Sequence, residues 1–351
     1  MLFNVHRDEG HSVEGYLIPE GFSDVPKILV SDAEGDIAEI ECDQLHQAVK
    51  SSGRHETGLV GFKLTENNIP GLRHRSTLFI RDVKSGLLLY RRPLRPTQIN
   101  MKVVRIETQL IPHITLDREM VRHFQYALPL IDRFGQETIL QAFLLATMKS
   151  IYISGRLQVR SYQEYLDKGF KGIALLSEPY YEMALRIATL KRCSTVKPVF
   201  LGERDMMSLS AAISYFSELD LSDTDAIGKA LKKAPPKVRI VLLSPTTRQF
   251  ACADPEQPST RRDIAFAMDL ISRFEVIGHI NDTLAFASSL GELCNLDMDH
   301  IPILQRNPAV DRMASELRTL AVAESYIEDD LILDYYVRQA METGSSYDTR
   351  P

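Results

Sequence analysis

Several features that would assign this chain to a class are missing from its sequence. It has no tryptophan, and its four cysteines stand far apart without a CxxC pair, so neither a disulfide framework nor a cysteine-rich zinc site is expected. No apolar run approaches the roughly 18 residues of a membrane helix, and the first residues lack the basic-then-apolar order of a signal peptide. A net charge of −6 disfavours bulk attraction to nucleic acid. These absences predict a soluble, cytoplasmic protein with reduced thiols.

Motifs of the common catalytic and ligand-binding sites are missing as well. The chain has no GxxxxGK or GxGxxG phosphate-binding loop, no HExxH metal motif and no GxSxG nucleophile turn. Its nine histidines show no metal-binding spacing on a helix. We therefore expect no metal ion, and no ordinary nucleotide-binding loop after the first strand of an α/β domain.

Residues 1–92 have the pattern of a small all-β domain. Six or seven short apolar or alternating segments, separated by turn-forming clusters, are typical of an antiparallel β-sandwich. Residues 1–90 hold 9 basic and 14 acidic side chains, a net charge of −5, which makes this accessory domain a poor candidate for binding an anion. We interpret it as a packing or assembly module. Pro93 and Pro96 then predict a linker over residues 93–100, because proline interrupts both helices and sheets.

Residues 101–340 alternate short β-rich runs with long helical patterns, which predicts an α/β domain with a parallel sheet and a helical C-terminus. A polar, flexible tail is expected over residues 341–351. Four runs are predicted to be parallel strands of one sheet: residues 102–106, 172–176, 238–243 and 274–277. Helical spacing marks residues 138–148, 180–190, 207–218, 262–273, 282–290 and 311–339.

One polar segment, residues 244–250, follows the predicted strand 238–243. It would place Arg248, flanked by Thr247 and Gln249, at the carboxyl end of a parallel strand, where α/β folds keep their ligands. A guanidinium between two hydrogen-bonding side chains suits a sulfate or phosphate oxyanion. The alternative is a strand-to-helix connection in which Arg248 is a structural residue bonded to backbone carbonyls or a buried acid.

Four short stretches, in order along the chain, carry a resemblance to a known family. Residues 150–156 (SIYISGR) resemble its "iyGHf" stretch, and residues 176–179 (LSEP) stand where it has "LRDP". Residues 246–250 (TTRQF) resemble "QTRqL", and residues 262–290 resemble its closing helical segment. The chain thus resembles the sulfotransferases of the heparan-sulfate 2-O-sulfotransferase type and their bacterial relatives, which have a P-loop-like α/β fold.

The chain departs from that family at four functional positions. The phosphosulfate loop "IPKTGGTS" is reduced to Ile-Pro at residues 111–112, with His113 in place of the lysine. Arg156 replaces the histidine held to be the general base, and a guanidinium does not accept a proton at neutral pH. Ser177 replaces the arginine that holds the 3′-phosphate of the cofactor, and Leu185 replaces a helix serine. These changes weaken the case for catalysis more than the case for the fold.

The resemblance implies two alternative functions. In the first, the chain is a divergent sulfotransferase-like enzyme that transfers a sulfuryl group from 3′-phosphoadenosine 5′-phosphosulfate to a sugar hydroxyl in bacterial surface-polysaccharide modification. In the second, it is a non-catalytic pseudoenzyme that binds a glycan or a protein partner. The predicted catalytic residues are Arg156 and His113, and the predicted cofactor-binding residues are Thr115, Ser177, Thr247, Arg248 and Gln249.

Overall fold

The computed structural model describes residues 1–93, 98–145 and 148–348, with side chains up to Thr343 in the last helix. Residues 94–97 of the predicted linker lie outside this range. The chain divides into two compact units. The first comprises Met1–Lys102, Met120–Pro129 and Phe134–Ile153, and the second comprises Val103–Glu119, Leu130–Arg133 and the chain from Ser154 onwards.

The first unit contains two four-stranded antiparallel sheets, with strand orders β1-β2-β6-β5 and β4-β3-β7-β8. Side chains alternate between the core and solvent along the strands, so that Phe3 and Val5 are buried on one strand and Val13 and Leu17 on the next. The elements are β1 Leu2–Asp8, β2 Ser12–Ile18, β3 Lys27–Ser31, β4 Asp36–Glu41, β5 Gln44–Leu45, α1 Gln47–Ser51, β6 Leu59–Thr65, β7 Phe79–Asp82 and β8 Leu88–Arg91.

The predicted antiparallel β-structure is therefore confirmed. The first unit nevertheless extends beyond residues 1–92, since it includes the two later segments 120–129 and 134–153. Local strand signals could not predict this, because membership of a compact unit depends on contacts between segments distant in sequence.

A five-stranded parallel sheet has the order β10-β11-β9-β12-β13. Three of its strands coincide with predicted strands, whereas β10 and β11 were not predicted as strands. Strand β11 lies within the motif at residues 150–156, and all five of its residues are buried. The strands are β9 Lys102–Ile106, β10 Tyr126–Leu128, β11 Ile151–Gly155, β12 Phe170–Leu176 and β13 Val276–His279.

The prediction of a strand at residues 238–243 is wrong, because this segment forms a helix. Pro236 occupies the first helical turn, where its fixed φ and missing N–H are tolerated. Val238 and Leu242, four residues apart, are buried on one face, while Arg239 is exposed. A short apolar run fits a strand or a buried helix equally well, and here the helical core selects the helix. The polar segment 244–250 therefore does not follow a strand.

Helices account for most of the remaining chain. The pattern at residues 311–339 is divided into three helices, the last of which continues to Asp348, beyond the expected start of a flexible tail. No helix in the described ranges is long and apolar enough to cross a bilayer. The helices are α2 Ile114–Met120, α3 Gln136–Phe143, α4 Glu164–Asp167, α5 Pro179–Cys193, α6 Glu203–Phe216, α7 Thr224–Lys233, α8 Pro236–Leu242, α9 Pro245–Ala251, α10 Arg261–Ile271, α11 Thr283–Cys294, α12 Pro308–Leu317, α13 Ala321–Tyr326 and α14 Glu328–Asp348. Those that were predicted overlap the observed ones, whereas α2, α4, α7 and α9 were not predicted, and α3 ends at Phe143 rather than at residue 148.

Candidate functional site

The loop that follows strand β9 surrounds the carboxylate of one of its own residues, Glu107. Glu107 is buried, and its Oε2 accepts a hydrogen bond of 2.8 Å from the backbone N–H of His113 and one of 2.9 Å from Nη1 of Arg105. The His113 ring nitrogen Nδ1 lies 3.0 Å from both carboxylate oxygens. A loop amide that could face an external phosphate is thus bonded to an internal anion.

Electrostatics keep this internal carboxylate charged. Burial by itself would raise the pKa of Glu107, but the charges of His113 and Arg105 and the hydrogen bonds from His113 outweigh it, so that the pKa lies well below its usual range. The carboxylate therefore stays ionised at any pH at which the protein would operate. The groups that stabilise this carboxylate are therefore already engaged and are not open to a second anion at the same loop.

Two of the predicted cofactor-binding residues, Ser177 and Thr115, lie near this loop. Ser177 is buried, and its hydroxyl accepts a 2.7 Å hydrogen bond from Nε2 of Gln109. Thr115 is exposed in the short helix α2. The 3′-phosphoadenosine 5′-phosphosulfate that the resemblance implies does not fit these residues, because the loop amide of His113 is bonded to Glu107 and Ser177 offers no positive charge to a phosphate.

Arg156, predicted as catalytic, is neutralised by two aspartates. Its Nη2 lies 2.5 Å from Oδ2 of Asp132 and 2.7 Å from Oδ2 of Asp205, and its backbone N–H also donates to Asp132. Burial would lower the pKa of Arg156, but the two carboxylates reverse this effect and raise it. Gly155 makes the pair possible, because a Cβ at that position would collide with the Asp132 carboxylate and the backbone N of Ile131. Arg156 is therefore a permanently charged, doubly paired residue.

Arg248, expected near a ligand at the end of a strand, is instead a structural residue of helix α9. Its side chain is buried, with Nε donating to the carbonyl of Gln257 at 3.0 Å and Nη1 to that of Leu243 at 3.0 Å. It also donates to the carbonyls of Ile240 and Pro255. Burial, with the nearby charge of Arg186, lowers the pKa of Arg248 to about 10. The guanidinium is thus positive at neutral pH, and it is bonded to backbone carbonyls rather than to carboxylates.

The two neighbours of Arg248 tie helix α9 to other elements. The backbone N–H of Thr247 donates to Oδ1 of Asp330 on α14 at 2.7 Å. Gln249 Nε2 donates to the carbonyls of Glu107 at 2.8 Å and Leu157 at 3.2 Å. Both residues are buried, and these contacts give each of them a role in packing.

A cavity of about 460 Å³ lies among helices α6, α8 and α9. It brings together three of the seven predicted site residues, Arg156, Arg248 and Gln249, whereas His113, Thr115, Ser177 and Thr247 are not among the residues that line it. The other polar residues of its wall were not predicted from the sequence, because no motif marks them. These residues are Gln158, Arg186, Asp205, Ser208, Ser210, Lys237 and Glu256.

The charges of the cavity wall are predominantly positive. Four cationic side chains line it against two acidic ones, Asp205 and Glu256. Arg186 is paired through Nε with Glu182 at 2.6 Å. Lys237 is exposed, and no ion pair of its ammonium group is found in the part of the chain that the structure describes. A wall of this kind can hold an oxyanion, with Lys237 at the surface and Arg186 deeper.

Comparisons with known proteins do not identify a family or a function for this chain. No family model matches the chain, and no curated protein or solved structure matches it either. The resemblance to sulfotransferases therefore depends on the four short motifs, and any function must be argued from the loop at residues 107–113 and from the cavity.

Proposed function

We propose that this chain is a sulfotransferase-like protein that does not transfer sulfuryl groups and that binds an anionic sugar in its cavity. One observation carries the proposal: the two side chains predicted to be catalytic are bonded to internal carboxylates, His113 to Glu107 and Arg156 to Asp132 and Asp205. The adjacent cavity retains positive side chains that are not fully paired in this way.

The cost of these internal pairs argues against catalysis with a phosphosulfate donor. A preorganised donor aimed at developing charge contributes about 3–4 kcal/mol to transition-state stabilisation. Arg156 would have to leave two aspartates to act in this way, and the loop amide of His113 would have to leave Glu107. Together these effects remove most of the acceleration that a modest enzyme of this type requires.

The cavity supports binding of a small anionic group. Its volume of about 460 Å³ is within the range of small-molecule sites and could hold one or two sugar rings. Arg248 contributes positive potential to the wall, and four of its five N–H groups are already bonded to carbonyls. Lys237 and Arg186 remain for direct contact with a sulfate or phosphate ester. Met207, Ile240 and other apolar side chains complete the wall, as in many ligand sites.

Calorimetric titration tests this function directly. We expect glucose 6-sulfate and glucose 6-phosphate to bind and glucose not to bind, with the two esters distinguishing sulfate from phosphate recognition. Lys237→Ala should weaken binding roughly two- to fivefold, as for one exposed ion pair, whereas the control Lys233→Ala, an exposed lysine that does not line the cavity, should leave it unchanged.

The same titration with 3′-phosphoadenosine 5′-phosphosulfate and its bisphosphate product serves as a negative control. We expect neither to bind more tightly than the sulfated sugar. Low-micromolar binding of the donor would contradict the proposal and would favour an enzymatic function instead.

A second candidate function, sulfuryl transfer to a sugar hydroxyl in bacterial surface-polysaccharide modification, is favoured by one contact. His113 Nδ1 lies 3.0 Å from the buried Glu107 carboxylate, an arrangement that in other enzymes orients an imidazole so that Nε2 can accept a proton. Transfer of labelled sulfate from the donor to polysaccharide acceptors is the test. Activity that is lost in His113→Ala and kept in the surface control His74→Ala would establish this function in place of the first.

A further inference from the structure

Helix α5 carries a buried carboxylate that neither function uses. Glu182 is 1% exposed, and its Oε1 accepts a 2.6 Å hydrogen bond from Nε of Arg186, one helical turn further on. Its other oxygen, Oε2, is buried and has no hydrogen-bond partner among the described residues. A carboxylate oxygen without a donor costs more free energy to bury as an anion than as part of a protonated carboxyl group.

The charged groups around Glu182 come from three elements. Arg186 on the same helix favours the ionised form, whereas Glu107 from the loop after β9 and Asp330 from α14 disfavour it. Burial is the largest influence, and together these groups raise the pKa of Glu182 to about 7. Asp330 is held separately by the backbone N–H groups of Thr246 and Thr247.

Arg186 connects this carboxylate to the cavity. Its Nε is bonded to Glu182 and its Nη2 makes a weak 3.3 Å hydrogen bond to the carbonyl of Thr108, while the residue also lines the cavity. The charge of Arg186 acts on Arg248 in the same wall, so two guanidinium groups repel each other there. An anion placed beside them would relieve this repulsion, and it would compete with Glu182 for the charge of Arg186.

We propose that the cavity is a proton-linked oxyanion site, in which a sulfate or phosphate ester that contacts Arg186 binds together with one proton that is taken up by Glu182. The proton neutralises the carboxylate, so the positive charge of Arg186 is available to the ligand. It also removes a negative charge from the immediate surroundings of the bound anion. This inference rests on the proposed anion-binding function and adds its regulation by pH.

Linkage gives the expected size of the effect. Because Glu182 titrates at about 7 in the free protein, one coupled proton makes binding about tenfold tighter at pH 6 than at pH 8. The affinity should change little below pH 6, where the carboxyl group is already protonated before the ligand arrives.

Titration with inorganic sulfate, which does not itself ionise in this range, tests the inference at pH 6, 7 and 8 and constant ionic strength. At pH 8, measurements in buffers of different ionisation enthalpy should show uptake of close to one proton per sulfate bound. Glu182→Gln, which imitates the protonated group, should bind at pH 8 as tightly as the unmodified protein does at pH 6. The control Glu218→Gln, at an exposed position, should keep the normal pH dependence.

The outcomes separate the two proposals. Sulfate binding that does not change with pH, or that keeps its pH dependence in Glu182→Gln, would overturn the proton linkage and leave the anion site intact. Absence of binding by sulfate, glucose 6-sulfate and glucose 6-phosphate at every pH would overturn the site itself. If Glu182→Gln does not fold, the proton count of the unmodified protein decides the question alone.

Discussion

Replacing Arg248 with alanine removes the side chain that joins two backbone carbonyls before helix α9 to two after it. Two of these carbonyls, those of Leu243 and Gln257, lie 3.0 Å from the guanidinium, and the other two are those of Ile240 and Pro255. A hydrogen bond to a charged group contributes about 1.5–3 kcal/mol, and an acceptor left without its donor loses about 1–3 kcal/mol unless water replaces the donor. Water can enter here from the cavity that Arg248 lines, which reduces the loss.

The net expectation for Arg248→Ala is therefore a loss of about 3–5 kcal/mol in the free energy of unfolding, within the range found when one partner of a buried charged network is removed. Urea denaturation of the unmodified protein and the variant measures this loss. Arg262→Ala, at an exposed position at the start of α10, is the matched control and should change stability by less than about 0.5 kcal/mol. A loss below about 1 kcal/mol for Arg248→Ala, accompanied by loss of sulfate-induced stabilisation, would refute the structural role and make Arg248 a ligand-contacting residue.

Three further predictions follow from the buried charges and the glycine beside them. Glu107 has a lowered pKa, so it stabilises the fold above the unfolded value near 4.5, and this contribution is lost as the pH falls further; Glu107→Gln should make acid unfolding begin at a higher pH. Glu182 has a pKa raised to about 7, so stability falls as the pH rises from about 4.5 to 7, and Glu182→Gln should be more stable than the unmodified protein at pH 8 by up to about 3 kcal/mol in urea denaturation. An equal or lower stability would contradict this reasoning. Gly155→Ala should displace Asp132 from Arg156 and cost about 1–3 kcal/mol in thermal unfolding, whereas Gly169→Ala, at an open position that also has positive φ, should show only the backbone contribution.

The long amphipathic helices were predictable from spacing, whereas α2, α4, α7, α8 and α9 were not predicted as helices. Helices α5, α6, α10 and α11 begin and end within a few residues of their predicted bounds, because each presents apolar side chains to one core at helical intervals. Residues 238–243 were not predictable in this way. These six residues are apolar except for Arg239, and such a short run is compatible with a strand or with a helix. Only the burial of Val238 and Leu242 in a helical core decides between the two.

The candidate site was predictable only in part, because tertiary packing also decides which side chains line the cavity. Motif resemblance identified Arg156, Arg248 and Gln249, which do line one cavity. It did not identify Arg186 or Lys237, because a single cation on a helix has no sequence pattern that separates a cavity-facing position from an ordinary surface position.

The sequence by itself determined the α/β class of the fold and the division of the chain into a β-rich part and a largely helical part, since these depend on local composition and periodicity. Only the tertiary structure decided which charges are paired. Arg156 meets Asp205 from 49 positions away, and Gln249 reaches the carbonyl of Glu107 across 142 positions. The energy of a charge is set by the groups within a few ångströms of it and by its exclusion from water. Neither quantity is encoded in the spacing of neighbouring residues, so the availability of a side chain to a ligand became visible only when the helices were packed.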